Sequence, residues 1–77
     1  MKYYATVKHH STISYWERIE GAKTLSGAKR IATRDYGKGY RGHVINVVEI
    51  PDDFKGHLND IPAHTKIIGS DKWINEA

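Results

Sequence analysis

The sequence contains no cysteine. Disulfide frameworks, thiolate metal sites and cysteine nucleophiles are therefore excluded, and a small domain without disulfides suits a reducing compartment. Long apolar runs are missing as well. The opening "MKYYATVKHH" holds no apolar segment of signal-peptide length, and no stretch approaches the roughly 18 apolar residues of a membrane span. These absences predict a soluble protein of the cytoplasm with no membrane partner. Proline occurs twice, at Pro51 and Pro62, so nothing upstream of Pro51 carries a proline break in a helix or strand.

What is present describes one small domain, residues 1–77. With 77 residues, 39% of them hydrophobic and 27% charged, the chain is too apolar for disorder. A chain of this length buries only about 60–65% of its unfolded surface, so its core is thin. The net charge of +3 means little alone, but its distribution is uneven. Residues 23–41 carry Lys23, Lys29, Arg30, Arg34, Lys38 and Arg41 against Asp35, six charges against one, a net +5. Residues 49–77 carry Lys55, Lys66 and Lys72 against Glu49, Asp52, Asp53, Asp60, Asp71 and Glu76, three against six, a net −3. A polar molecule follows, basic in its middle and acidic toward its end.

Apolar periodicity sets the elements. Lys2–Lys8 alternates, with Tyr3, Ala5 and Val7 on one side and Tyr4, Thr6 and Lys8 on the other, which predicts a strand with one buried face. After the polar connection "HHSTIS", Tyr15–Glu20 reads as a second strand paired to the first. Thr24 is positioned to cap a helix, since its hydroxyl accepts from a free N–H of the first turn. Leu25, Ala28, Ile31, Ala32 and Tyr36 then recur at helical spacing on one face, and Asp35 sits awkwardly inside that arc. Gly37 is the expected left-handed cap. His43–Ile50 is rich in β-branched residues and reads as a strand ended by Pro51. "PDDFKGHLNDIPAH" is a long connection with room for one helical turn. "TKIIGSDKWINE" reads as two short strands around Gly69-Ser70-Asp71. The order β-β-α-β-β-β predicts an α+β fold: a five-stranded antiparallel sheet with one helix packed on one face.

Most chemical motifs dissolve on inspection. Gly37-x-Gly39-x-x-Gly42 matches a dinucleotide fingerprint by letter, but it follows a helix and opens a strand, the reverse of the required context. Of His9, His10, His43, His57 and His64, the group His57, Asp60 and His64 would need a continuous helix to converge on a metal, and Pro62 interrupts it. Asp52-Asp53 and Glu17/Glu20 lack apolar surroundings to shift their pKa. Ser11, Ser14, Ser26 and Ser70 lack a nucleophile elbow. No enzyme activity, cofactor or metal is expected. Tyr15, Trp16, Tyr36, Tyr40, Phe54 and Trp73 are core candidates, whereas Tyr4, on the polar side of its strand, suits a protein interface.

The basic helix is the open question. Arg30 and Arg34 are like charges one turn apart, a cost of roughly 0.2–0.5 kcal/mol to an isolated helix, small enough to carry no purpose. They lie nearly opposite the apolar stripe, with Lys29 at its flank. Lys23 precedes the helix, and Lys38 and Arg41 follow in its glycine-bearing loop. One reading is a solvated face. The other is a surface that neutralises about four or five phosphates of a nucleic-acid backbone without reading sequence.

The wording of this segment bears on the choice. "TLSGAKRIATRD", followed by "YRGHVINVVEI" and a late "SDKWINE", resembles a small type I-F anti-CRISPR family. Its members have a short N-terminal strand pair, a helix opening with a Ser/Thr-Leu-Ser-x-Ala-Lys-Arg phrase, an aromatic-x-Gly strand and a C-terminal hairpin ending near a tryptophan. The resemblance implies a phage protein acting as a monomer in the host cytoplasm. Its partners would be the backbone protein subunits of a CRISPR surveillance complex, where guide RNA pairs with target DNA, together with the phosphate backbone of double-stranded DNA. By position, the family's DNA-contacting helix residues correspond to Lys29, Arg30 and Arg34, with Lys38, Arg41 and Tyr4 as further contact candidates. The "DYGKGY" loop and the "PDDFKGHLNDIPAH" connection are longer than the family pattern and bear on which subunit or subtype is recognised. The rival expectation is a stand-alone nucleic-acid-binding protein with no protein partner, and a third is a domain whose basic helix has no role.

Overall fold

In the computed structural model, residues 1–9, 12–13, 15–39, 41–70 and 72–75 are described. His10, Ser11, Ser14, Tyr40, Asp71 and Glu76, all singled out above, lie outside them. Strand β1 runs Lys2–His9, β2 Thr12–Ile13, β3 Glu17–Arg18, helix α1 Leu25–Tyr36, β4 Val44–Ile50, β5 His64–Ile67 and β6 Trp73–Asn75. A short 3-10 turn, Leu58–Asp60, occupies the long connection. The chain is an α+β domain with a fully antiparallel sheet five strands wide. Its outermost position beyond β1 is filled by two short pieces: β2 pairs with the Lys8–His9 end of β1, and β3 pairs with Tyr4 and Ala5. The expected second strand, Tyr15–Glu20, is thus shorter than predicted, and part of the polar connection before it also pairs. The unpaired backbone edge of β1 recruits both pieces, whatever their own side-chain pattern.

The helix packs on β1 and β4. Its Ala28 and Ala32 have no exposed surface and meet Tyr3, Ala5, Ile45 and Val47 from the sheet, with Ile19 and Ile68 completing the cluster. Two alanines one turn apart let the helix axis approach the sheet closely. Thr24 caps the helix as expected, its Oγ1 accepting from the Gly27 N–H at 3.0 Å. The other end differs. Gly37 has φ −68° and ψ −9°, an ordinary right-handed conformation, so the cap is not left-handed. Glycine is required there for space, because a Cβ would collide with the Thr33 carbonyl oxygen. Asp35 does not break the helix. It is exposed and the chain stays helical through Tyr36.

The far face of the sheet is not simply solvated. Thr6 and Val48 point away from the helix, yet Thr6 is 1% and Val48 0% exposed. Trp16 and the 51–64 connection supply cover: Trp16 Nε1 donates to Asn59 Oδ1 at 2.8 Å, and Trp16, Asn59 and Ile61 share a cleft with Thr6 and Asn46. Across that face Thr65 Oγ1 donates to Asn46 Oδ1 at 2.9 Å, and Asn46 Nδ2 reaches Thr6 Oγ1 at 3.4 Å, so the buried polar groups are partnered.

Candidate nucleic-acid interface

Helical spacing places residues 26, 29, 30, 33 and 34 on one flank of α1. Ser26, Lys29, Arg30, Thr33 and Arg34 line one side of an open cleft of about 540 Å³, and Trp73 of β6 lines the other. The three residues expected to contact DNA, Lys29, Arg30 and Arg34, are therefore brought together. Arg30 forms no ion pair or side-chain hydrogen bond with the described residues. Arg34 pairs with Asp35 at 3.0 Å, but with 72% of the Arg34 side chain exposed this contact is worth little.

The strand side adds two groups that sequence reasoning did not assign to the site. Trp73 pairs with Lys66 across β5 and β6, and both project toward the helix. The Lys29 Nζ stands 5.4 Å from the indole centroid and the Lys66 Nζ 5.8 Å, within cation–π range. Lys66 Nζ also reaches Thr33 Oγ1 at 3.5 Å, and that hydroxyl donates to the Lys29 carbonyl at 2.9 Å. Helix and hairpin are tied together through the site. Only the turn pointed to it: a reversal at Gly69-Ser70 puts residues 66 and 73 opposite one another, and Gly69 does adopt φ +103° there.

The remaining candidates lie elsewhere. Arg41 passes over the Gly69 turn, where a Cβ would come within 2.9 Å of its Nε, and it lines a different cleft with Lys8, His43 and Val44. Lys38 is exposed in the loop after the helix. Tyr4 is half-buried on the sheet face opposite α1, between Arg18 and Val48. Arg41 and Tyr4 thus do not line the cleft of Lys29, Arg30 and Arg34, whose opposite side comes from the hairpin through Trp73.

Among the described residues no three histidine or carboxylate side chains gather around a common point, and no helix is long and apolar enough to cross a membrane. Among the described residues, Tyr36, Tyr3 and His64 have displaced pKa values, and none of these lines the basic cleft. Burial, with a hydrogen bond to Glu17, pushes Tyr36 up to about 12; its hydroxyl donates to Glu17 Oε2 at 2.8 Å. Burial, with Glu49 opposite on β4, raises Tyr3. Burial, then Lys29, lowers His64, against a smaller upward pull from Glu49. No family model, curated protein or solved structure matches the chain.

Proposed function

We propose that this protein is a non-enzymatic inhibitor that docks on the protein subunits of a type I CRISPR surveillance complex and turns its basic helix toward DNA, blocking target hybridisation. The observation that carries this reading is the convergence of Lys29, Arg30 and Arg34 on one open cleft with Arg30 unpaired among the described residues. A solvated face offers no reason for three cations to line a groove. Backbone phosphates supply the missing anions without requiring base readout. The resemblance of the helix phrase to the type I-F anti-CRISPR family supplies the setting, and Tyr4, half-buried on the far face of the sheet, is the candidate for protein contact.

The test is retention of the purified chain on immobilised type I surveillance complex, followed by target-strand hybridisation and duplex retention with and without it. Binding, loss of hybridisation and gain of non-specific duplex retention are expected. Arg30→Ala with Arg34→Ala should abolish the duplex gain, and a double variant indistinguishable from the parent in every one of these measurements would sink the basic-face reading. A second reading, a stand-alone nucleic-acid binder, is favoured by the indole set among the cations. It predicts affinity for DNA in the absence of any complex, in the non-specific range of about 10⁻⁴–10⁻⁶ M.

A further inference from the structure

The indole of Trp73 sits in an unusual place for a core tryptophan of a thin domain. It is half-buried against the core, yet it also walls the cleft whose other side is the basic flank of α1. Two ammonium groups, from Lys29 and Lys66, stand 5.4 Å and 5.8 Å from the same ring, with the guanidinium groups of Arg30 and Arg34 lining the same cleft or its rim. The sole carboxylate paired with any of these four, among the described residues, is Asp35 on Arg34. Like charges gathered on one aromatic ring repel one another, and each cation–π contact offsets only a part of that. The arrangement is short of anions and holds a flat apolar surface at its centre.

We propose that this cleft receives single-stranded nucleic acid, with one unpaired base stacked on Trp73 and the flanking phosphates on Lys29, Lys66, Arg30 and Arg34. This rests on the nucleic-acid reading above and deepens it, since a duplex satisfies the cations but keeps its bases stacked on each other and away from the ring. Single-strand sites combine these two parts, a positively charged groove and an aromatic platform. On binding, the two lysines exchange the ring for phosphate oxygens and uncover it for the base. The stack is indifferent to base identity, because each base has a π face. Thr33, which accepts from Lys66 Nζ and donates to the Lys29 carbonyl, holds hairpin and helix in register so that both sides of the cleft meet one strand.

The test uses the full chain carrying Trp16→Phe, which leaves Trp73 as the lone indole. A short oligothymidylate and a duplex of the same length are titrated at low salt, reading indole fluorescence and the anisotropy of labelled nucleic acid. The oligonucleotide should quench Trp73 while the duplex does not. In the parent chain, Trp73→Leu should weaken oligonucleotide binding by roughly 5- to 150-fold, the range of one base–aromatic stack, with duplex binding little changed and Trp73→Phe restoring most of the loss. Circular dichroism verifies that each variant is folded, and the quenching experiment stands independently of any Trp73 variant. Oligonucleotide binding without quenching, quenching by the duplex to the same degree, or no oligonucleotide binding at all overturns the proposal. Duplex retention by the surveillance complex is unaffected by those three results, so the function proposed above fails only if that measurement fails too.

Discussion

His64 lies on β5 on the helix side of the sheet, with its Nδ1 buried and without a hydrogen-bond partner. Burial and then the nearby Lys29 ammonium lower its pKa from 6.5, and Glu49 on the adjacent strand opposes them more weakly. A histidine whose folded pKa is depressed favours the neutral form in the native state. The unfolded chain therefore binds the proton first as pH falls. The stabilisation is complete above about 6.5 and is lost as pH drops through the lower folded value. Thermal unfolding should accordingly show the midpoint falling between about pH 7 and about pH 5, and His64→Gln should flatten that fall. An unchanged slope in the variant would place the acid sensitivity on other groups. An imidazole NMR titration reads the same shift directly.

At the scale of elements, α1 carries both core and cleft, so its ends matter more than its middle. Thr24 holds the first turn through one hydroxyl at 3.0 Å from the Gly27 N–H. Thr24→Ala should cost about 1 kcal/mol in denaturant unfolding and loosen the turn that bears Ser26, while Thr24→Ser should be close to neutral. The helix was legible because Leu25, Ala28, Ile31, Ala32 and Tyr36 repeat at the right spacing, and because the cap is a local hydrogen bond. β4 was legible for a similar reason, its run of Val and Ile being buried on both faces at Ile45, Val47 and Val48. What escaped was set by neighbours. β2 and β3 exist because β1 has a free edge, and burial of Thr6 depends on Trp16 and residues from the 51–64 connection. In the same way Lys29, Arg30 and Arg34 could be read from one helix, whereas Lys66 and Trp73 arrive from some forty residues away through sheet register. Its large aromatic side chain in a small chain marked Trp73 as core, which is half of its place in the fold.

Across the whole molecule, the charge gradient along the chain does not survive folding. Lys66 comes from the acidic C-terminal third and stands against the Trp73 ring that walls the basic cleft, while Arg41, from the basic middle, lines a cleft shared with Lys8. The body measures 35 × 24 × 20 Å, so charges on opposite surfaces stand more than about two Debye lengths apart at physiological salt and act on a bound duplex largely independently. Attraction to net charge alone, with the duplex free to settle on any face, would make all cations nearly equivalent, whereas a built site makes them unequal. The salt dependence of duplex binding separates these cases. Each phosphate contact contributes about 0.9 to the slope of log affinity against log salt. Arg30→Ala with Arg34→Ala should therefore flatten the slope by about 1.8. Arg41→Ala removes the same charge from the same small body and should leave the slope near that of the parent. Equal flattening per charge removed would mean that DNA senses only the net charge, and the cleft between α1 and β6 would lose its claim to be the interface.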